Sequence, residues 1–445
     1  MKPVMTILPP GRISGCLLEG EVVNTAEIQR LARYIREYQD RFDPLFGRAG
    51  TRRWAREYMG GLLMDMERKN CWQIAEARKI PAQNLKSLQH FLYGSPWDWK
   101  PVLAEMGRMV DEHLGSDDGI VVVDESGVRR WGEKSVGIAR QYIGRLGKVD
   151  NGQVGVYLAY ACEQGQAFLD ARLFVPEAWF EDPRRCREAG IPDDAIFRTK
   201  PELAAAMVES ARARGVRARW VTADEVYGDA PEFLDVVDAV GWWYVAEVQT
   251  TVEVWPVRPK TLPPSPRGAI GRPRKKPRLA RDSDRSAPVA VLGGRLAEKD
   301  WRRIAVAQGP EGRRVYDFAF LRVVEKRGGL PGRDAWLMVR RSLDQTPEIK
   351  HYLSNAPRNV DLERMAAVGS ERWRVDGAIK EAKGQTGLAE SEGRNWKHWH
   401  HHTTLSMLAH AFLTCARVSW AQTYSPPLGA PDPETRRLGK KGAAA

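Results

Sequence analysis

Two short apolar runs, each closed by an aspartate, constrain this chain more than any other feature. Ile120-Val121-Val122-Val123 leads into Asp124, and Arg219-Trp220-Val221-Thr222-Ala223 leads into Asp224. Short runs rich in β-branched and aromatic residues read as buried strands. A carboxylate at the end of such a strand points into the crevice where α/β sheets bind ligands.

The sequence between Gly119 and Val248 supports an α/β core. Val154 to Tyr160 and Ala167 to Val175 alternate as strands, and Glu163-Gln164-Gly165-Gln166 joins them as a hairpin. Thr199-Lys200-Pro201-Glu202 is a capping box that opens a helix running to about Arg214. A short helix near Pro231 to Val240 and an apolar strand, Trp242-Trp243-Tyr244-Val245-Ala246, complete the segment. Antiparallel strands followed by alternating helix and strand are the order of a ribonuclease-H-like sheet.

A third acidic position lies in Glu371-Arg372-Trp373-Arg374-Val375-Asp376-Gly377-Ala378-Ile379-Lys380-Glu381-Ala382-Lys383. On a helix, Arg372, Asp376 and Lys383 fall within about 60° of one another, and Glu381 is turned roughly 140° from Asp376. Such a face is otherwise a solvated helix with ion pairs. Between two cations, the Asp376 carboxylate stays ionised at neutral pH. Glu125 and Glu225, next to the upstream aspartates, are expected on the opposite strand faces.

The order Asp124, Asp224, Asp376 resembles the catalytic triad of insertion-sequence DDE transposases. The third-carboxylate helix resembles their Tyr-x2-Arg-x3-Glu-x6-Lys signature, with Arg372, Asp376 and Lys383 in register. Gly369 stands where the tyrosine belongs and Asp376 where the glutamate belongs. Ser135 to Lys148 and Ala223-Asp224-Glu225-Val226-Tyr227-Gly228 also resemble this group, and the likeness spans roughly Glu37 to Val418. It implies a ribonuclease-H-like catalytic domain, an N-terminal helical DNA-binding region and a β-rich insertion domain. It further implies cut-and-paste transposition with Mg²⁺ or Mn²⁺, two ions held by Asp124, Asp224 and Asp376, and a homodimer bridging two element ends. The alternatives are a domesticated DNA-binding protein that no longer cuts, and a nuclease without strand transfer.

Charge agrees with a polyanionic partner. The 445 residues carry a net +12 with pI near 9.5, which favours nucleic acid. No run approaches the ~18 apolar residues of a spanning helix, and nothing in Met1 to Gly20 reads as a signal peptide. Five scattered cysteines without C-x-x-C spacing suit a reduced cytoplasm, nucleoid-associated if the partner is DNA.

Outside the core, residues 1–25 read as a loose leader and 26–115 as the helical region. Ile28, Leu31, Ala32 and Ile35 hold a helical stripe. Cys71 to Ala77, a break at Lys79-Ile80-Pro81, and Asn84 to Leu92 have helix-turn-helix proportions, with an ordinary helical hairpin as the alternative. The second helix offers Asn84, Lys86, Ser87, Gln89 and His90 to phosphates or base edges. Arg140, Arg145 and Lys148, on a glycine-punctuated strand and loop, are further phosphate contacts, as are Arg372 and Lys383 on the third-carboxylate helix.

About 150 residues separate Asp224 from Asp376, more than a crossover requires. An insertion is therefore expected over 249–335, with a basic disordered loop at 256–288. Arg258 to Arg285 holds ten Lys or Arg against two Asp. Within it Gly271-Arg272-Pro273-Arg274 resembles an AT-hook, with Arg272 and Arg274 read first as non-specific phosphate contacts. Trp336 to Val339 reads as the last strand, and the core's second part spans 336–422. Trp396-Lys397-His398-Trp399-His400-His401-His402 precedes an apolar helix from Leu405 to Val418. Adjacent helical histidines point in different directions, which favours interface or DNA-backbone packing over a metal site. Residues 423–445 read as a basic tail.

Overall fold

The computed structural model describes residues 25–264, 275–309 and 312–424. The leader, Arg272, Arg274 and nearly all of the tail lie outside those residues.

Five helices open the described chain: α1 (Thr25–Phe42), α2 (Ala49–Leu62), α3 (Cys71–Ala77), α4 (Leu85–Tyr93) and α5 (Trp99–Leu114). The Asn70 side chain caps α3 by accepting the Gln73 N–H at 2.9 Å, and Asp98 caps α5. Leu62, Ile74, Leu88, Phe91 and Leu92 are buried between them.

The sheet begins with four antiparallel strands, β1 (Ile120–Arg129), β2 (Ala139–Ile143), β3 (Lys148–Cys162) and β4 (Gly165–Phe174). Two short helices, α6 (Glu177–Phe180) and α7 (Pro183–Glu188), lead to α8 (Lys200–Ala213), opened by the Thr199–Glu202 capping box. Next come β5 (Trp220–Ala223), α9 (Glu225–Gly228), α10 (Pro231–Ala239) and β6 (Trp243–Val248). β5 runs parallel to both β1 and β6.

The stretch between β6 and the closing helices contributes β7 (Glu253–Trp255), β8 (Thr261–Leu262), β9 (Arg278–Leu279), β10 (Ala287–Pro288), α11 (Val289–Gly293), β11 (Arg302–Gly309), β12 (Gly312–Arg327), β13 (Leu330–Arg341) and β14 (Ile349–Ser354). Its β-rich character is as expected, but most of its strands do not close a separate sheet. They extend the core in the order β10-β7-β12-β13-β14-β6-β5-β1-β3-β2, with β11 on β12 and β4 on β3. The loop expected to be disordered over 256–288 holds a small β8–β9 ribbon, flanked by a Lys260–Asp282 ion pair at 3.0 Å.

Trp336 to Val339 lies inside β13 and is not the last strand. β14 follows and joins the insertion to β6. Lys350 and His351 interrupt its apolar run and hide it from a pattern reading.

Three helices close the fold: α12 (Leu362–Ser370), α13 (Trp373–Gln385) and α14 (Trp396–Tyr424). α13 and α14 pack on the first strands of the sheet, while α8 packs on β3 and β4 with α10 against it. The histidines expected ahead of the last helix lie within it. His401 stacks on Trp97 with ring centres 3.7 Å apart, and His400 stacks on Trp99 at 4.5 Å. They are packing residues between the N-terminal helices and the sheet, without a DNA-facing surface: His400, His401 and His402 are all buried. Cys71, Cys162, Cys186 and Cys415 are free thiols. Among the described residues, no helix is long and apolar enough to cross a membrane.

Candidate active site

The register of the parallel strands brings the first two aspartates level. Ile120, Val121 and Val122 pair with Trp220, Val221 and Thr222, so Asp124 and Asp224 each stand two residues beyond the last pair. Their backbones then diverge. Asp224 leaves the sheet as the N-cap of α9, its side chain accepting the Val226 N–H at 3.0 Å. Asp124 is not at a strand end: β1 continues to Arg129, with Asp124 opposite Tyr157 of β3. The polar stretch Glu125-Ser126-Gly127 ends the apolar signal, yet antiparallel pairing to β3 carries the strand onward.

Arg372 links the two carboxylates. Its Nη1 lies 3.3 Å from Asp124 Oδ2 and 3.9 Å from Asp224 Oδ2. It sits at the N-cap of α13 in helical conformation, so the helical phase read from the sequence extends through it. Lys383, near the end of α13, reaches Ser126 with Nζ 2.6 Å from Oγ. Asp124 and Ser126 are two residues apart on β1 and share one face. The helix thus spans that face with a cation at either end.

Asp376 occupies the first turn of α13 and is exposed. Its charge reaches both Asp124 and Arg372. Among the described residues, however, no three His, Cys, Asp or Glu side chains are grouped closely enough to hold a metal ion. Two of the three expected carboxylates are brought together, and the third stands at the margin.

Gly369, the other departure from the signature, has a steric reason. A Cβ there would approach Met338 Cε to 2.7 Å and Val245 Cγ1 to 3.0 Å. Close packing of α12 on the sheet therefore leaves no room for a tyrosine ring.

The pair is short of positive charge. Burial pushes the Asp124 carboxyl up to about 8; Arg372 opposes this, and the charges of Asp224 and Asp376 add to it. Burial, then the Glu125 charge, pushes Asp224 up to about 6. Arg372 is buried enough to favour losing its proton, but the surrounding carboxylates, Asp124 first, hold it firmly charged. Two hard-oxygen groups that cannot both stay ionised beside one guanidinium have the chemistry of a divalent-cation site.

A second layer lies on the other face of β1. Glu125 accepts from Lys200 Nζ at 2.6 Å and from Tyr227 Oη at 2.9 Å, so both of its oxygens are engaged. Sequence reading named Glu125 but neither partner, although Tyr227 stands in the Asp224-Glu225-Val226-Tyr227-Gly228 stretch. Glu225 is the first residue of α9, not a strand residue, and is exposed. Glu381 faces away as expected, bonded to Gln166 at 3.3 Å and His410 at 3.2 Å.

The expected DNA contacts are dispersed. Lys86 and Gln89 are exposed on α4, whose Leu88, Phe91 and Leu92 are buried. Arg140 is exposed on β2. Arg145 lies in the turn Gly144–Leu146. Lys148 is exposed at the start of β3, 3.7 Å from Asp150.

The family model described as DDE superfamily endonuclease matches residues 41–313. That span includes Asp124 and Asp224 and ends before Asp376. The chain is also similar to a probable transposase for insertion sequence element IS701 from Microchaete diplosiphon, with 33% identity over 199 residues. The alignment covers 44% of this chain and 49% of the relative, so the chain matches about half the length of that curated protein.

Proposed function

Because the chain belongs to the DDE superfamily endonucleases, we propose that it is an insertion-sequence transposase, cutting DNA at the ends of its element and joining them to a target. The observation that carries this reading is the Asp124–Arg372–Asp224 cluster, in which two level strands and one helix converge on a charge-deficient carboxylate pair. The similar IS701 protein is itself described as a probable transposase.

Asp124 and Asp224 would hold Mg²⁺ or Mn²⁺, with two ions as the working number, and Asp376, in the first turn of α13, would complete the site. Bound there, such ions supply charge neutralisation at the phosphate and activation of an attacking hydroxyl. The protein's own share is positioning. Asp224 is fixed by its bond to the Val226 N–H, and Asp124 by β1 and by accepting the Glu125 N–H at 2.7 Å. Arg372, placed beside both carboxylates, would offer its guanidinium as a two-pronged ligand for a DNA phosphate. Lys383, held beside Ser126, supplies a second positive charge further along the same face.

Double-stranded DNA is the substrate, and the active species is a homodimer that bridges two element ends at the nucleoid. The α3–α4 pair reads the ends through Lys86 and Gln89, while Arg140, Arg145, Lys148, Arg272 and Arg274 add phosphate contacts.

The test uses the full chain, a plasmid carrying the element ends, and added Mg²⁺. Cleavage at the ends followed by joining to a second DNA is the expected result. Cleavage without joining reduces the function to a nuclease. Normal cleavage by Asp224→Ala overturns the site.

A further inference from the structure

We infer that the β2–β3 hairpin is a DNA-gripping arm that docks duplex DNA through Tyr142, Val149 and Arg140, on the same sheet face as Asp124. The inference rests on the proposed function and adds to it a contact surface made by apolar side chains.

The facing follows from register. Asp124 pairs with Tyr157 on β3. Alternate residues from Tyr157 along β3 lead to Asn151 and Val149, which pair with Arg140 and Tyr142 on β2. Directly opposed residues share a face, so Asp124, Ser126, Arg140, Tyr142 and Val149 form one series, turned gradually by strand twist. Lys148 and Asp150 have the opposite parity. They lie with Arg129, which pairs with Asp150 at 3.3 Å. Lys148 is thus a less direct DNA contact than Arg140.

The tip is costly to leave in water. Tyr142 is 61% exposed, Val149 52% and Leu146 38%, clustered at the end of one hairpin. Grouped exposed apolar side chains on a basic protein mark a contact surface. Charge selects DNA as the occupant. Between the tip and the active site the sheet face is roofed by the connection from β1 to β2 and by the approach to α14. There Asn151 donates to the carbonyls of Arg130 and Gly132, and Val136 N–H donates to the Arg394 carbonyl. That roof exposes Lys134 and Arg394 together with Glu133 and Glu392, so the charge that favours DNA comes from Arg140 at the arm and from the chain's net +12. From Tyr157 to Val149 is eight residues of β3, at most ~26 Å, or about eight base pairs of duplex.

The experiment measures binding of the full chain to a duplex oligonucleotide of arbitrary sequence across a salt series. The Tyr142→Ala/Val149→Ser double variant is expected to bind about tenfold more weakly with an unchanged salt slope, because an apolar contact releases no counterions. Arg140→Ala is expected to lower the slope by about one. Leu343→Ser, 47% exposed in the connection from β13 to β14, is the control and should bind as wild type. Wild-type affinity in the double variant overturns the arm, as does a double variant whose only change is lost self-association in sedimentation. A wild-type chain that binds duplex and cuts plasmid while the arm variants match it rejects this inference alone. A wild-type chain that binds no duplex rejects the proposed function together with the arm.

Discussion

The histidines of α14 and the aspartates of β1 and α9 are both polar groups removed from water, yet they are treated in opposite ways. His402 has a partner at each nitrogen: Tyr58 Oη at 2.8 Å from Nδ1 and the Gly387 carbonyl at 2.8 Å from Nε2. Burial, partly offset by the Gly387 bond, pushes its pKa to about 4 and leaves the ring neutral. Asp124 and Asp224 share one guanidinium at 3.3 and 3.9 Å and repel each other. A buried polar group that is satisfied and uncharged stabilises a fold. One that is charged and only partly compensated asks for a ligand.

Removing either upstream carboxylate gives the largest separation of the two clusters. Asp124→Ala or Asp224→Ala should lower metal-dependent cleavage by on the order of a thousandfold or more, since a bound metal supplies several kcal/mol of charge stabilisation. DNA binding, followed by gel shift, should be retained. His402→Ala should do the reverse. Leaving Tyr58 and the Gly387 carbonyl without their partner costs about 2 kcal/mol or more, read by denaturant unfolding, with cleavage per folded molecule unchanged. Equal loss of activity in His402→Ala would erase the distinction.

The pH dependence of stability sharpens the contrast further. Asp124 and Asp224 have folded pKa values of about 8 and about 6, above the unfolded carboxylate value of about 3.9. At these two groups the folded state therefore binds more protons than the unfolded state across that interval, and their contribution to stability falls as pH rises through it. In chelator, raising the pH from 5 to 8 should therefore cost the wild type more stability than Asp124→Asn, a difference that separates the carboxylate from the buried α14 histidines, whose lowered pKa values act in the opposite direction. Mg²⁺ should restore stability at pH 8 in the wild type but not in Asp124→Asn.

The smallest effect concerns Asp376. Aspartate reaches one methylene less than glutamate, and Asp376 stands exposed at the margin of the site. Asp376→Glu should preserve cleavage or raise it by about tenfold at most, in initial-rate measurements on plasmid. A sharp loss would show that the shorter side chain is matched to this helix position.

Much of the core was legible because its signals are local. The apolar runs before Asp124 and Asp224, the hairpin at Glu163 to Gln166, and the Thr199 capping box all have their cause within a few residues. What escaped has non-local causes. β1 continues past Asp124 because β3 pairs with it, and β14 forms because β13 and β6 offer edges on both sides. The histidines enter α14 because Trp97, Trp99 and Tyr58 bury them from three separate helices or connections. The Glu125–Lys200–Tyr227 contacts join residues ~75 and ~100 positions apart, beyond any local pattern.

Sequence alone determined which carboxylates and cations this chain has to work with, and that Arg372, Asp376 and Lys383 share a helical stripe, since periodicity is a property of neighbouring residues. Tertiary structure alone decided that Asp124 and Asp224 come level, that Arg372 links them, and that Asp376 stands exposed at the margin of the pair. Those outcomes depend on strand register and on how closely Gly369 lets α12, and α13 after it, approach the sheet. Distances between groups remote in sequence are set by packing.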